Sequence, residues 1–456
     1  MPSNTSVSHS VRARSGSFAE LGVPAPIVAA LARGGITTPF PIQNATLPDS
    51  LAGRDVLGRG RTGSGKTVAF AVPTVAVLAG SGKPRIPNRP RALILVPTRE
   101  LANQVADAIA PLAAAMGQRV ITVFGGVGQG RQVSALRGGI DVLVACPGRL
   151  EDLINQRLVD LDAVEVTVLD EADHMADLGF LPAVKRLLDR TPSGIQRLLF
   201  SATLDNGVDV LVRRYLHEPV VHSVDPPASV VTTMQHHVLT LAAGDKTAVV
   251  RELASGLGRT LLFTRTKHAA KKLAKQLTAA GVPAVELHGN LSQQARERNL
   301  AAFGTGSARV LVATDIAARG IHVDDIALVV HVDPPAEHKA YLHRSGRTAR
   351  AGADGVVVTL STPDQSRDVR TLTRQAGISP EVASVRPGSA DIVALTGPPA
   401  AYVTPAAPTM QQHQPRRSAP RSSTPRSSTP RTSAVELSRR GGARRPTRRG
   451  SPRRAA

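Results

Sequence analysis

Tryptophan is absent from this 456-residue chain, and aromatic residues make up only 2% of it. Its cores must therefore be built from aliphatic side chains, which a hydrophobic content of 42% permits. A single cysteine, Cys146, excludes any intrachain disulfide. That scarcity suggests a reducing, cytoplasmic setting without a disulfide-linked partner. The longest apolar stretch, Val68–Ala79, is too short to cross a bilayer and is interrupted by Pro73. The first 17 residues are polar and serine-rich, without the apolar core of a signal peptide. A soluble protein with no membrane partner is expected. What the chain has in excess is positive charge: 56 Lys and Arg against 35 acids, a formal net charge of +21. Such an imbalance favours a polyanionic partner, because neutralising phosphates releases condensed counterions.

The length predicts more than one domain. Two blocks alternate short apolar runs with helical patterns. In the first block the runs are Ala92–Val96, Val120–Phe124, Asp141–Ala145, Val164–Leu169 and Leu198–Phe200. In the second they are Thr260–Phe263, Ala308–Val312, Ala327–Val332 and Gly355–Leu360. Unbroken Val, Ile and Leu runs are what strands buried on both faces look like, and helices such as Leu101–Met116 and Lys267–Ala280 supply parallel crossovers. The expected fold is α/β: two parallel-sheet domains at 17–223 and 234–387, each with helices on both faces. A proline-containing linker at 224–233 joins them, after a disordered segment at 1–16. Residues 388–456 are expected to form a disordered basic tail. From Gln411 onward the tail holds 13 Arg, no Lys and one acid, Glu436, so +12 of the net charge lies there.

Gly60-Arg61-Thr62-Gly63-Ser64-Gly65-Lys66-Thr67 matches the G-x-x-x-x-G-K-[ST] phosphate loop. Its glycines let backbone N–H groups wrap phosphate oxygens, Lys66 reaches the β- and γ-phosphates, and the Thr67 hydroxyl ligates Mg²⁺. The overlapping Gly58-x-Gly60-x-x-Gly63 imitates a dinucleotide fingerprint but lacks the acid expected near Lys83. Asp170-Glu171-Ala172-Asp173 follows a buried run. Asp170 is suited to hold Mg²⁺ and Glu171 to orient and deprotonate an attacking water.

Asp-Glu-Ala-Asp is the namesake of the DEAD-box RNA helicases of superfamily 2, and the chain resembles that family, of bacterial type, from Phe18 to Pro387. The resemblance implies two tandem RecA-like domains, ATP and Mg²⁺ as cofactors, and RNA as partner through backbone contacts. Phe18 and Gly35–Gln43 resemble the Q motif, in which Gln43 reads the adenine edge. Ile36 stands where an aromatic is frequent, and Cys146 where Thr is usual. Pro97, Thr98, Arg99, Gly126, Gly148 and Arg149 resemble the first domain's RNA-backbone motifs, and Thr266, Gly289 and Thr314 the second's. Ser201 and Thr203, with Arg319, Gly320 and His343, are implied to couple the domains. Arg347 and Arg350, in His343–Arg350, resemble arginine fingers and join Lys66, Asp170 and Glu171 as catalytic candidates. Gln293 and Arg296 also fit the family pattern. The tail is expected to meet RNA or protein, and the chain to be a monomer.

Overall fold

The computed structural model describes residues 16–60, 63–204, 206–224, 234–318, 323, 325–349 and 354–404. Expectations placed on 1–15, on Arg61, Thr62, Arg319, Gly320 and Arg350, on 225–233 and on the segment beyond 404 lie outside these residues.

Two seven-stranded sheets follow each other along the chain. The first contains β1 (Val56–Arg59), β2 (Ala92–Leu95), β3 (Val120–Val123), β4 (Val142–Ala145), β5 (Val166–Leu169), β6 (Gln196–Ser201) and β7 (Val220–Ser223). Its order is β3-β4-β2-β5-β6-β1-β7, with every neighbouring pair parallel. The second contains β8 (Met234–Thr240), β9 (Arg259–Phe263), β10 (Ala284–Leu287), β11 (Val310–Ala313), β12 (Ile326–His331), β13 (Gly355–Ser361) and β14 (Glu381–Ser384). Its order, β10-β11-β9-β12-β13-β8-β14, is again all parallel and repeats the first.

The strand runs predict this architecture because alternate side chains enter opposite cores. In β4, Val142 and Val144 face one buried cluster while Leu143 and Ala145 face another. In β11, Val310 and Val312 divide from Leu311 and Ala313 in the same way. Each buried Val or Leu stabilises the sheet by about 1.5–3 kcal/mol, so helices must cover both faces. Parallel pairing then brings all strand C-termini to one edge, where ligands of such sheets bind.

The helices expected at Leu101–Met116 and Lys267–Ala280 are found at Arg99–Ala115 and Lys267–Ala279. The boundary at 387 is not where packing ends. The helix Ala390–Thr396 buries Ile392 in the second domain, and the chain then hydrogen-bonds Ala400 N to Ser255 O (2.8 Å) and Val403 N to Gly281 O (3.0 Å). Among the described residues no helix is long and apolar enough to cross a membrane.

Candidate nucleotide site and nucleic-acid interface

After β1 the chain turns through the glycine loop into the helix Lys66–Ser81, whose cap, Gly65, has φ +89°. A side chain at Gly65 would be strained by that φ and blocked as well: a Cβ would lie 2.4 Å from the Phe40 ring and 2.6 Å from Gln43 Nε2. Lys66 is buried, donates to Gly60 O (2.7 Å) and stands 4.0 Å from Glu171 Oε1. Gly60 N in turn donates to Ser201 O (3.1 Å), tying the loop to the end of β6. Gly63, Ser64 and Thr67 complete the described part of the loop, and Thr67 is half-buried.

Asp170 and Glu171 follow β5, which lies two strands from β1. Burial pushes the Asp170 carboxyl up, to about 7, while the Lys66 ammonium pulls the other way. A buried carboxylate this short of positive charge is a fitting cation ligand. Glu171 adopts φ +52°, in the left-handed region, and caps the helix Ala172–Asp177. Such strain in a non-glycine residue costs about 1–3 kcal/mol and concentrates at functional positions. Asp173 accepts from Thr203 N and Thr203 Oγ1 (both 2.9 Å), and its own N–H donates to Ser201 Oγ (3.2 Å). The Ser201 and Thr203 segment is thereby hydrogen-bonded to the acidic cluster.

Gln43 is buried with both ends of its amide engaged: Oε1 accepts from Phe40 N and Nε2 donates to Gly65 O, each at 2.9 Å. Beyond these two bonds, Nε2 keeps a second N–H and Oε1 a second lone pair. Phe18, expected at the nucleotide, is instead 2% exposed in the first core, because a large apolar ring is stabilised more by aliphatic packing than by an open loop. The aromatic beside the loop is Phe40, which is 50% exposed. The sequence placed Phe40 inside the Gly35–Gln43 resemblance without a role of its own; its signal was an aromatic immediately before Pro41 in a chain nearly devoid of them.

The residues expected at RNA stand on three adjacent strands of each sheet. Pro97, Thr98 and Arg99 follow β2, Gly126 follows β3, and Gly148 and Arg149 follow β4. Thr98 Oγ1 caps its helix by accepting from Leu101 N (3.3 Å), and Arg149 donates to Val127 O (3.3 Å). Cys146 caps the helix Pro147–Asn155, and burial pushes its thiol up to about 12, so it remains neutral. In the second sheet Thr266 follows β9, Gly289 follows β10 and Thr314 follows β11. Thr266 Oγ1 accepts from Ala269 N (3.2 Å), and Gly289 is exposed.

The domains meet beside these rows, through Arg99 and its neighbour Glu100. Glu100 Oε1 accepts from Arg296 Nε (2.7 Å) and Gln293 Nε2 (3.3 Å), and Arg99 Nη1 donates to Gln293 Oε1 (3.3 Å). Burial opposes the Glu100 charge, but Arg296 outweighs it and holds the carboxyl below its ordinary value. Sequence reading named Gln293 and Arg296 without a partner, since a contact spanning 196 positions has no local pattern.

Arg347, 5% exposed, donates from Nε to the carbonyl of His343 (3.2 Å) on the helix His338–Ser345. Beside it Arg344 grips Asp315 with two bonds of 2.5 and 2.8 Å and donates to Asp333 O (2.7 Å). Asp333, also missed, accepts from Lys246 Nζ (2.8 Å) and Arg265 N (2.9 Å).

Residues 40–211 match the DEAD/DEAH box helicase family and residues 245–352 the helicase conserved C-terminal domain. The chain is 38% identical to the ATP-dependent RNA helicase RhlB of Pseudomonas syringae pv. tomato, over 74% of this chain and 87% of that protein. It belongs to the DEAD-box family of superfamily 2 RNA helicases. Another DEAD-box relative, the chloroplastic RNA helicase 3B of Zea mays, is 40% identical over 83% of this chain but only 52% of its own length. This chain thus spans about half of that relative. Among solved structures, Saccharomyces cerevisiae Dbp5 bound to RNA and ADP BeF3 superposes with TM-score 0.72 at 27% identity, covering 83% of this chain and 97% of Dbp5. The expectation of a cytoplasmic protein is overturned: a DEAD-box relative this similar is named chloroplastic. A lone cysteine and a polar N-terminus do not specify a compartment.

Proposed function

We propose that the chain is an ATP-dependent RNA helicase, whose RNA-stimulated ATP hydrolysis drives local unwinding of RNA duplexes or remodelling of RNA–protein complexes. The observation that carries this reading is the division of the strand-end edge. In the first sheet the phosphate loop and Asp170–Glu171 take the β5-β6-β1 half, and residues suited to backbone contacts take the β3-β4-β2 half. The second sheet repeats the backbone-contact half.

Mg²⁺ fits Asp170 and Thr67 together with nucleotide phosphates, since this ion commonly takes one or two protein ligands and keeps substrate oxygens. When bound it would neutralise charge developing on the transferred phosphoryl group. Lys66 exchanges Gly60 O for phosphate oxygen, and the N–H groups of Gly63 to Thr67, with Gly60, Arg61 and Thr62, line the loop. Glu171, held in place by its cap position, orients the attacking water and takes its proton. Gln43 reads the adenine edge and Phe40 supplies an apolar wall that Ile36 alone does not. Arg347 and Arg350 stabilise transition-state charge from the second domain.

Thr98, Arg99, Gly126, Gly148, Arg149, Thr266, Gly289 and Thr314 grip RNA phosphates and 2′-hydroxyls, so the core binds without reading sequence. Pro97 fixes the turn before Thr98. Asp173 with Ser201 and Thr203, and Arg319, Gly320 and His343, transmit the nucleotide state. The Glu100–Arg296 pair holds the domains together in the arrangement both ligands share. We read it as a bacterial-type member; its relatives include RhlB of Pseudomonas syringae beside plant and fungal proteins. The chain acts as a monomer, and its arginine-rich tail adds RNA or protein contacts.

Steady-state ATP hydrolysis with and without single-stranded RNA tests the proposal, comparing the wild type with Glu171→Gln. Strong RNA stimulation that the variant loses is expected. A wild type that binds RNA yet hydrolyses no ATP would refute the enzyme.

A further inference from the structure

No acidic residue occurs between Glu252 and Glu286, while Arg265, Lys267, Lys271, Lys272 and Lys275 all fall in that interval. The structure gathers the lysines on the helix Lys267–Ala279, whose buried side presents Ala270, Ala274 and Leu277 to the sheet. Arg265, Lys267, His268, Lys271, Lys272 and Lys275 are exposed. Lys267, Lys271 and Lys275 recur every four residues, so successive ammonium groups rise about 6 Å along one face. Lys267 donates to Asn290 Oδ1 (3.2 Å), but Lys271, Lys272 and Lys275 have no ion-pair partner among the described residues. Some exposed cations elsewhere do find carboxylates, as Arg213 does with Asp209 and Arg214 with Asp189.

The ends of this helix give the stripe a direction. At its start stands Thr266, a member of the second sheet's row of backbone-contact residues. Just past its other end is Gly281, at φ +79°, where the Tyr402 ring occupies the space a Cβ would need. Val403 N donates to Gly281 O (3.0 Å). The last described stretch of chain is thus fastened beyond the far end of the lysine stripe, and the 13 arginines follow in sequence.

We propose that the lysine face of Lys267–Ala279 is a second RNA-backbone surface, which receives the strand leaving the core row at Thr266. It binds by counterion release and reads no base, because its lysine row offers ammonium groups and no Phe, Tyr or Trp. An acidic protein would be the alternative occupant, but continuity with the row at Thr266 favours RNA. The inference rests on the RNA reading of the core.

The test compares the full chain with its Lys271→Gln/Lys272→Gln/Lys275→Gln variant. Binding is measured for a short oligouridylate that fills the core row only and for one about 30 nucleotides long. The variant is expected to bind the short RNA like the wild type and the long RNA roughly 10- to 100-fold more weakly. Its salt dependence should fall by about 2 in the slope of log affinity against log salt, as for three lost single-strand phosphate contacts. Equal affinity and slope on the long RNA would overturn the lysine surface and leave the core reading standing. A wild type that ignores the short RNA as well would overturn both.

Discussion

The two sheets have one strand order, yet their corresponding corners do opposite things with a lysine. After β1, Lys66 opens a helix behind a glycine loop and stands 4.0 Å from Glu171, close enough to feel its charge without forming a tight pair. After β8, the corresponding turn is Leu241-Ala-Ala-Gly-Asp, without the glycine-rich loop, and Lys246 opens the next helix. There Lys246 closes on Asp333 at 2.8 Å. Asp333 follows β12 as Asp170 follows β5, so both corners carry a lysine and a carboxylate at equivalent strands. In one corner the lysine bonds a backbone carbonyl and stays 4.0 Å from the carboxylate; in the other it bonds the carboxylate directly at 2.8 Å. A lysine held by a neutral carbonyl exchanges it for phosphate more readily than one held by a carboxylate, and in the second domain the paired Asp333 also accepts from Arg344 through its carbonyl. The two rows proposed to contact backbone, in contrast, follow the same three strands in both sheets.

The largest effect should come from the lysines themselves. Lys66→Ala is expected to lower kcat by about 10³-fold or more, since it removes a charge aimed at the transferring phosphate. Lys246→Ala should instead cost about 1–2 kcal/mol of stability, as for a partly exposed ion pair, with a smaller loss of rate. Turnover measured beside denaturant unfolding separates them, and equal losses of kcat would break the contrast.

Next in size is the contact between the rows. Arg296→Ala leaves Glu100 buried without its strongest partner, so RNA stimulation of ATP hydrolysis should fall roughly 10- to 100-fold, while unstimulated turnover changes little. An unaltered stimulation ratio would remove this pair from the coupling.

Phe40→Ala should raise KM for ATP several-fold at nearly constant kcat, as expected when an apolar contact of about 1 kcal/mol is lost from substrate and transition state alike. Nucleotide titrations of the variant check it, and an unchanged KM would assign the ring to packing against Gly65 alone.

A separate effect, read on stability and not on turnover, concerns pH. Asp170 is raised to about 7 in the folded protein from an ordinary value near 3.8, so the native state holds its proton more tightly than the unfolded chain. Without nucleotide, stability should therefore fall as pH rises from about 4 to about 7 and level off above. Asp170→Asn should remove that component from melting curves recorded across the window. Stability that rises through the same window by the Asp170 component would contradict the assignment.

The central strands and contiguous motifs were legible because their patterns are local. β2, β4, β5 and β9 are runs of aliphatic residues buried along most of their length, and the phosphate loop and Asp170–Asp173 are read within a few positions. Strands β1, β7, β8, β10 and β14 escaped for separate physical reasons. β1 is a short run ending in Gly58 and Arg59. β7, β10 and β14 are half-exposed strands at or near an edge, so they lack a continuous apolar run. β8 carries His236 and His237 into the sheet, where a polar pair disguises a central strand. The partnership of Glu100 with Arg296, the pairing of Lys246 with Asp333, and the exchange of Phe18 for Phe40 beside the loop all depend on packing between distant segments.

The central claim is that one nucleotide site and two backbone-contact rows are thermodynamically coupled across the domains. The direct test measures RNA affinity with and without a non-hydrolysable ATP analogue, and analogue affinity with and without RNA, in the same buffer. Linkage requires the two ratios to be equal, and the structure predicts that both exceed one. Two ligands that bind with no mutual effect would contradict the account.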